Sequence, residues 1–484
     1  MLKKVFSVVI TLALVLSALP CNVKAAEGEG TVQPTRVQSE PLKFTDEAAE
    51  NKAEGWKWTP DPAGGGTLEL ENCYIQSETT GILDFDMEKG EKTDINIVLR
   101  GMNILETKSQ IYNPMVGAII GGESNVNWII SEDGEGSLET RTTETITSNM
   151  SPYVFGGNSL TIKSGTITSS VAFCMVYKGI YVEDGCFSLE TPESAKVSGG
   201  LYTINGPVGI SGGKIDINSY VGIFIAGNTN EGMEAGGHIV NISGGEVNIK
   251  AGFTGIHINK NNNDADGAQS VNISGGKVNC EAGAAGVYCK DFNVYSDGVQ
   301  IPQVNVSVSP DSTVPAILPS SGKVNISGGI VTAVGGGTAP AINGIDSKDS
   351  IVEDSIVVNG SSGKVYGTVE LTEDFSLPEN VVLTVPQDAV LTIPENVVLT
   401  VPDDNEKLYS VTIRQNGKEI TEHYKENDVV TFSPEADTYE LRFKEWQVVS
   451  GAAVIENGSF FTMPAGDVTI EAIFEMGLPQ SHWL

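Results

Sequence analysis

"VNISGGEVNIKAGFTGIHIN" at residues 240–259 is followed by "VNISGGKVNCEAGAAGVYCK" at 271–290, and its opening returns as "VNISGGIVTAV" at 324–334. In the first copy Val240, Ile242, Val247 and Ile249 alternate with polar residues on either side of Gly244 and Gly245. That is the pattern of two short half-buried strands joined at a turn. The glycine pair is expected to supply the positive φ that a β-branched residue does not adopt. A further alternation follows in "GIHIN", where Ile256 and Ile258 share one face and His257 takes the other. Each unit therefore reads as three strands separated by glycine-rich bends. A unit of this size buries its apolar side only by stacking on its neighbours.

The copies lie at even spacing: Ser211, Ser243 and Ser274 are 32 and 31 residues apart. A weaker copy, "LTIKSGTITS", contains Ser164, while Ser198 of "AKVSGGLYTI" stands only 13 residues before Ser211 and Ser327 trails Ser274 by 53. These outliers predict insertions. The third strand has echoes in "VGAIIGG" at 116, "VGIFIAG" at 221, "TGIHINK" at 254, "AGVYCKD" at 285 and "PAINGID" at 340. The reading is an all-β chain forming a right-handed parallel β-helix, or solenoid, in which like residues stack about every 4.8 Å. An Asn or Ser in each coil is expected to hydrogen-bond to its copy in the next, which makes the repeated motif scaffold.

The chain has 484 residues and a formal charge of −33. Its first residues pair Lys3 and Lys4 with an apolar run from Val5 to Leu19, followed by Val23 and Ala25 at the small-residue positions of a peptidase site. Residues 1–25 are thus expected to be a secretory signal, cut near Ala25 or Ala26. Its removal takes Lys3, Lys4 and Lys24 and no acidic residue, leaving a charge of −36. Such a field repels nucleic acid and anionic lipid, so neither nucleic acid nor membrane is an expected partner of the mature chain. Cys73, Cys174, Cys186, Cys280 and Cys289 are scattered without a CxxC pair, and the last two replace Ile249 and Ile258 of the preceding copy. They read as core residues rather than a disulfide framework or zinc site.

From about Gly55 to Gly367 the chain resembles secreted bacterial surface proteins with β-helical carbohydrate-binding domains. The resemblance is carried by "GWKWTPDPAGGGTLELENCYI", "INIVLRGMNIL", "NSLTIKSGTIT" and the Ser-Gly-Gly coils. It implies non-catalytic binding of a polysaccharide or cell-wall glycan, in some members with calcium, by a secreted protein or one loosely attached to the cell surface.

Two Asn-rich and acid-rich loops, "AGNTNEGMEAGG" and "NKNNNDADGAQS", follow the third strands of neighbouring coils. In the second, Asn262, Asp264, Asp266 and Gly267 keep the order D-x-[DN]-x-[DN]-G apart from the leading Asn. Clustered oxygen donors and a sharp turn suit calcium, although Ile273 stands where an EF-hand needs its bidentate Glu. Glu231 and Glu234 of the first loop are expected to complete the ligand set. Aromatic rings are the other route to sugar. Of Trp56 and Trp58, one is expected to cap the first coil and the other to join Tyr220, Phe224 or Tyr288 in an exposed platform.

Residues 26–54 read as a linker and 55–367 as the solenoid. "LPENVVLT", "VPQDAVLT" and "IPENVVLT" then step every eight residues with Pro378, Pro386, Pro394 and Pro402, making 368–405 a narrow extension or stalk. Residues 406–475, with "FKEWQVVSG" and "FTMPAGDVTIEAIF", resemble internalin B-repeat-like modules, which implies a small β-grasp-like domain without catalytic residues. Residues 476–484 form a tail in which Ser481 and His482 replace the Thr and Gly of a sortase signal. Two alternatives to glycan binding remain: an adhesin stalk with a protein partner, and a lyase or hydrolase acting on acidic polysaccharide. No carboxylate pair accompanies His238 or His257 in the sequence, and Lys260 and Lys290 are the candidate lyase bases.

Overall fold

The computed structural model describes residues 33–45, 50–51, 55–79, 81–86, 93–108, 118–122, 125–143, 153–191, 199–227, 237–259, 269–296, 298, 301–336, 340–379, 381–401, 408–415, 417–434, 441–456 and 458–476. The chain divides into two compact units, one running to Phe375 and including Val381–Val398, the other comprising Ser376–Asn380 and Leu399–Leu484.

The first unit is a parallel β-solenoid with three sheets per coil. In the first sheet, Ile210, Ile242 and Ile273 lie in register on consecutive coils, followed by Val294 and Ile326. In the second, Ile215, Val247, Val278, Val304 and Val331 do the same. The third sheet stacks Ile223, Ile256, Val287 and Ile317. All of these side chains are buried, because successive residues of a strand point to opposite faces and the apolar set points inward.

The two glycines of the motif have different tasks. Only the second carries a positive φ in the regular coils: 77° at Gly213, 79° at Gly245 and 72° at Gly276. The first is required by crowding, since a Cβ on Gly244 would stand 2.4 Å from the carbonyl oxygen of Ser211 in the coil before. The asparagines stack as expected. Asn272 donates to Asn241, Asn293 to Asn272 and Asn325 to Asn293, each at 2.8 Å. On the second sheet Asn248 donates to Asp216 at 2.7 Å, Asn279 to Asn248 at 2.7 Å and Asn305 to Asn279 at 2.9 Å. The repeated motif is therefore scaffold, built from an inward aliphatic column, an outward amide ladder and a turn.

The irregular spacings have another cause than insertion. Between Ser274 and Ser327 lies a complete coil that turns without Ser-Gly-Gly, because Val294 sits in register between Ile273 and Ile326. Likewise Glu183-Asp184-Gly185 makes the turn of the coil between Ser164 and Ser211, with Val182 between Ile162 and Ile210. Ser198 lies outside the described residues, and its two glycines belong to the third-sheet strand Gly199–Thr203 rather than to a turn.

The solenoid also begins earlier than the sequence implied. Arg36–Gln38 pairs in parallel with Tyr74–Ser77, and Leu42–Phe44 with Leu83–Phe85, so part of the expected linker is the first coil. The expectation for the tryptophans is corrected too: Trp56 and Trp58 are 8% and 1% exposed. Residues i and i+2 of a strand share a face, so both indoles of Trp56–Pro60 point into the core and Lys57 points away from it. At the other end the proline-punctuated steps prolong the stack, Val382–Thr384 pairing in parallel with Ser362–Tyr366 and Val390–Thr392 with Thr368–Glu370.

The second unit carries a mixed four-stranded sheet in the order Lys418–Lys425, Leu408–Gln415, Val468–Met476, Leu441–Ser450, and a two-stranded pair of Val429–Thr431 with Phe460–Thr462. Val411, Phe432, Trp446, Phe461 and Ile470 pack its core. Its described residues contain no helix, so the sheet is what the structure gives of the β-grasp expectation.

Candidate binding surface

The outer faces of the second and third sheets hold the most distinctive surface groups. On the third sheet the outward position between two inward residues is filled by Tyr202, Phe224, His257 and Tyr288, each opposite the next. Their ring centroids follow at 5.0, 5.2 and 4.9 Å, a row that climbs one coil per ring. Each ring is half-buried by its neighbours. Burial lowers the pKa of His257, which favours the neutral imidazole within this row, and raises that of Tyr202.

At the corner between the sheets Tyr220 stacks on Phe253, with centroids 5.5 Å apart and rings within 9° of parallel. Phe253 is 43% exposed. The next coil turns this corner with Gly283 and Ala284, whose amide nitrogen (Ala284) donates to the Phe253 carbonyl at 2.8 Å. The corner is thus an aromatic step followed by small residues.

Beside it, the second sheet presents a shallow groove of about 370 Å³. Its floor is the ladder Asp216, Asn248, Asn279, and its rim is the column Glu190, Asn218, Lys250, Glu281. Asn248 gives one amide hydrogen to Asp216 and the other to Glu246 at 3.0 Å, whereas Asn279 gives one to Asn248 and keeps a second, so the floor of the groove offers the remaining acceptor capacity of Asp216 and the second amide hydrogen of Asn279. Nearer the start of the solenoid the same sheet carries an ion cluster. Glu106, 3% exposed, accepts from Tyr74 Oη at 2.9 Å and Arg141 Nε at 2.6 Å, and also from Gln76. Arg141 is held in turn by Glu139 at 2.8 Å. Burial opposes ionisation of Glu106, but the hydrogen bonds from Gln76, Arg141 and Tyr74 outweigh it and keep the carboxyl below its usual range. With its oxygens occupied, this carboxylate is a structural anion.

The structure separates the expected residues. Trp56 and Trp58 belong to the core, whereas Tyr220, Phe224 and Tyr288 are on the surface, Tyr220 at the corner and the other two in the row. Asn262, Asp264, Asp266, Glu231 and Glu234 lie outside the described residues, as does Lys260. Among the described residues no group of three or more His, Cys, Asp or Glu side chains could hold a metal ion. His238 is buried at 1% exposure, and Cys73, Cys174, Cys280 and Cys289 are buried thiols. Burial pushes Cys280 up to about 12, far from a reactive thiolate.

Sequence reasoning missed the row, although its signal was present. The variable letter in "GIFI", "GIHI" and "GVYC" is Phe224, His257 and Tyr288. Comparison with protein-family models, with curated proteins and with solved structures finds no match.

Proposed function

We propose that the chain is an exported, non-catalytic polysaccharide-binding protein whose solenoid presents aromatic rings and a polar groove to an extended glycan. The observation that carries this reading is the recurrence of rings on four consecutive coils beside a groove with laddered amides and carboxylates. Sugar rings offer an apolar face and a rim of hydroxyls, and such a surface answers both, the exposed step at Phe253 taking the face and the groove taking the hydroxyls. With a formal charge of −33 the protein does not attract a polyanion directly, so a neutral glycan is the favoured ligand. A calcium-dependent form of the reading rests on the loops holding Asp264 and Asp266.

Retention on insoluble cellulose and on immobilised polygalacturonate, each with calcium and with chelator, tests the reading. Binding to cellulose that survives chelator and drops at least tenfold in Phe253→Ala is the expected result. Binding only to polygalacturonate and only with calcium would replace stacking by ion bridging. No retention under any of the four conditions would leave the adhesin-stalk reading in its place.

A further inference from the structure

The first sheet carries an aromatic ring of a different kind. Where later coils spell Val-Asn-Ile-Ser, the coil at 208–211 spells Val-Gly-Ile-Ser, and Gly209 stands in the outward column between Tyr181 and Asn241. Tyr181 uses the space. A Cβ on Gly209 would come within 3.2 Å of its Cδ1, and a Cβ on Gly179 within 3.0 Å of its hydroxyl and 3.1 Å of Cε2. The ring therefore lies down over backbone bared by two glycines, with 41% of the residue exposed. The half-buried rings of the third sheet stack on one another instead.

The missing side chain at Gly209 has a second effect. Every other amide of this ladder donates back to the preceding coil, but Asn241 has only a glycine behind it. Asn241 accepts from Asn272 and, among the described residues, donates to no protein group, so its exposed amide hydrogens lead off the ladder beside the Tyr181 ring. Thr161, Glu183 and Ser211 complete a depression of about 360 Å³ around ring and amide.

We infer that this depression is a sugar subsite separate from the surface on the second and third sheets: a neutral pyranose lies with its apolar face on Tyr181, takes a hydrogen bond from the Asn241 amide and donates a hydroxyl to the Glu183 carboxylate. The inference rests on the glycan-binding reading and extends it to the first sheet. It makes Gly209 a specificity device, since one side chain there would both lift the ring and quench the amide.

Calorimetric titration of the full chain with neutral β-1,4-linked hexasaccharides of glucose, mannose and xylose tests it, using wild type, Tyr181→Ala, Gly209→Asn and Phe253→Ala. Asn is what later coils carry at this column, so Gly209→Asn extends the ladder and is expected to leave the melting temperature unchanged or raised. The expected result is a class of sites lost at least tenfold in affinity in both Tyr181→Ala and Gly209→Asn and retained in Phe253→Ala. Loss in Phe253→Ala alone would overturn the Tyr181 subsite and keep glycan binding on the other sheets. Absence of binding by wild type to all three sugars would overturn both.

Discussion

The two halves of the solenoid use the same device on opposite sides of the wall. Up to about residue 190 a column of Trp and Phe rings runs inside: Trp58 meets Phe85 at 5.4 Å, Phe85 meets Trp128 at 5.2 Å, Trp128 meets Phe155 at 5.6 Å, Phe155 meets Phe173 at 5.5 Å and Phe173 meets Phe187 at 4.4 Å. From Tyr202 onward the climbing row is outside, and the buried apolar positions are mostly Ile, Val, Ala and Cys, with Phe292 the one buried Phe, Tyr or Trp among the described residues from Tyr202 to Tyr366. Coil stacking enforces a ring-on-ring column wherever neighbouring coils carry rings at one register position. Whether that column is core or surface depends only on the parity of the position along the strand. Inside, a ring contributes its whole buried area; outside, it contributes less to stability and remains available to a ligand.

The largest expected effect follows directly. Trp128 is fully buried and its indole donates to the Gly156 carbonyl at 2.9 Å. Trp128→Ala is expected to cost about 3–5 kcal/mol, whereas Phe224→Ala in the outer row should cost roughly 1 kcal/mol or less. Chemical denaturation of both variants checks the contrast. Equal losses would break the division into a structural and a displayed column.

The later interior is thin, and a glycine column shows why. A Cβ on Gly255 would lie 2.0 Å from Cys280 Sγ, and one on Gly222 would lie 2.4 Å from Ile249 Cγ2. The glycine of each third strand makes room for the second-sheet side chain that fills the corner. Gly255→Ala should therefore destabilise by about 1–3 kcal/mol through overpacking, and adding Cys280→Ala should recover part of the loss. A double-mutant cycle in which the two substitutions simply add would show that the corner has slack and that the glycine answers to something else.

These contrasts also mark how far the sequence could be read. Ile242, Ile273 and Ile326 were legible as core because the alternation and the turn agree locally, and the stack of asparagines followed from the same copies. The coil that turns at Glu183-Asp184-Gly185 and the coil that carries Val294 were not, since nothing in those letters repeats and only the register of Val182 and Val294 reveals them. Trp56 and Trp58 were assigned to different faces although their i, i+2 spacing puts them on one. The ring row was hidden by chemistry: Tyr, Phe, His and Tyr do not look like one position until the third strands are aligned on their glycines.

The smallest expected effect separates the halves by pH. The inner half carries Glu106, whose pKa is lowered by hydrogen bonds from Gln76, Arg141 and Tyr74 despite burial, and the outer row carries His257, whose pKa burial lowers. Both are depressed in the folded state, so the stability each contributes is present above the unfolded pKa and lost as pH falls through the folded one. The windows differ. For His257 the loss begins near the unperturbed histidine value of about 6.5, and for Glu106 it begins only near the carboxylate value of about 4.3. His257→Phe keeps a ring between Phe224 and Tyr288 and removes the titration. It should leave stability near pH 7.5 within about 0.5 kcal/mol of wild type and flatten the decline between about pH 7.5 and 5. Denaturation midpoints of wild type and variant across that interval give the answer. A variant that declines in parallel with wild type would mean that the imidazole reaches water well enough to titrate freely, and the outer row would then be looser than its ring spacings imply.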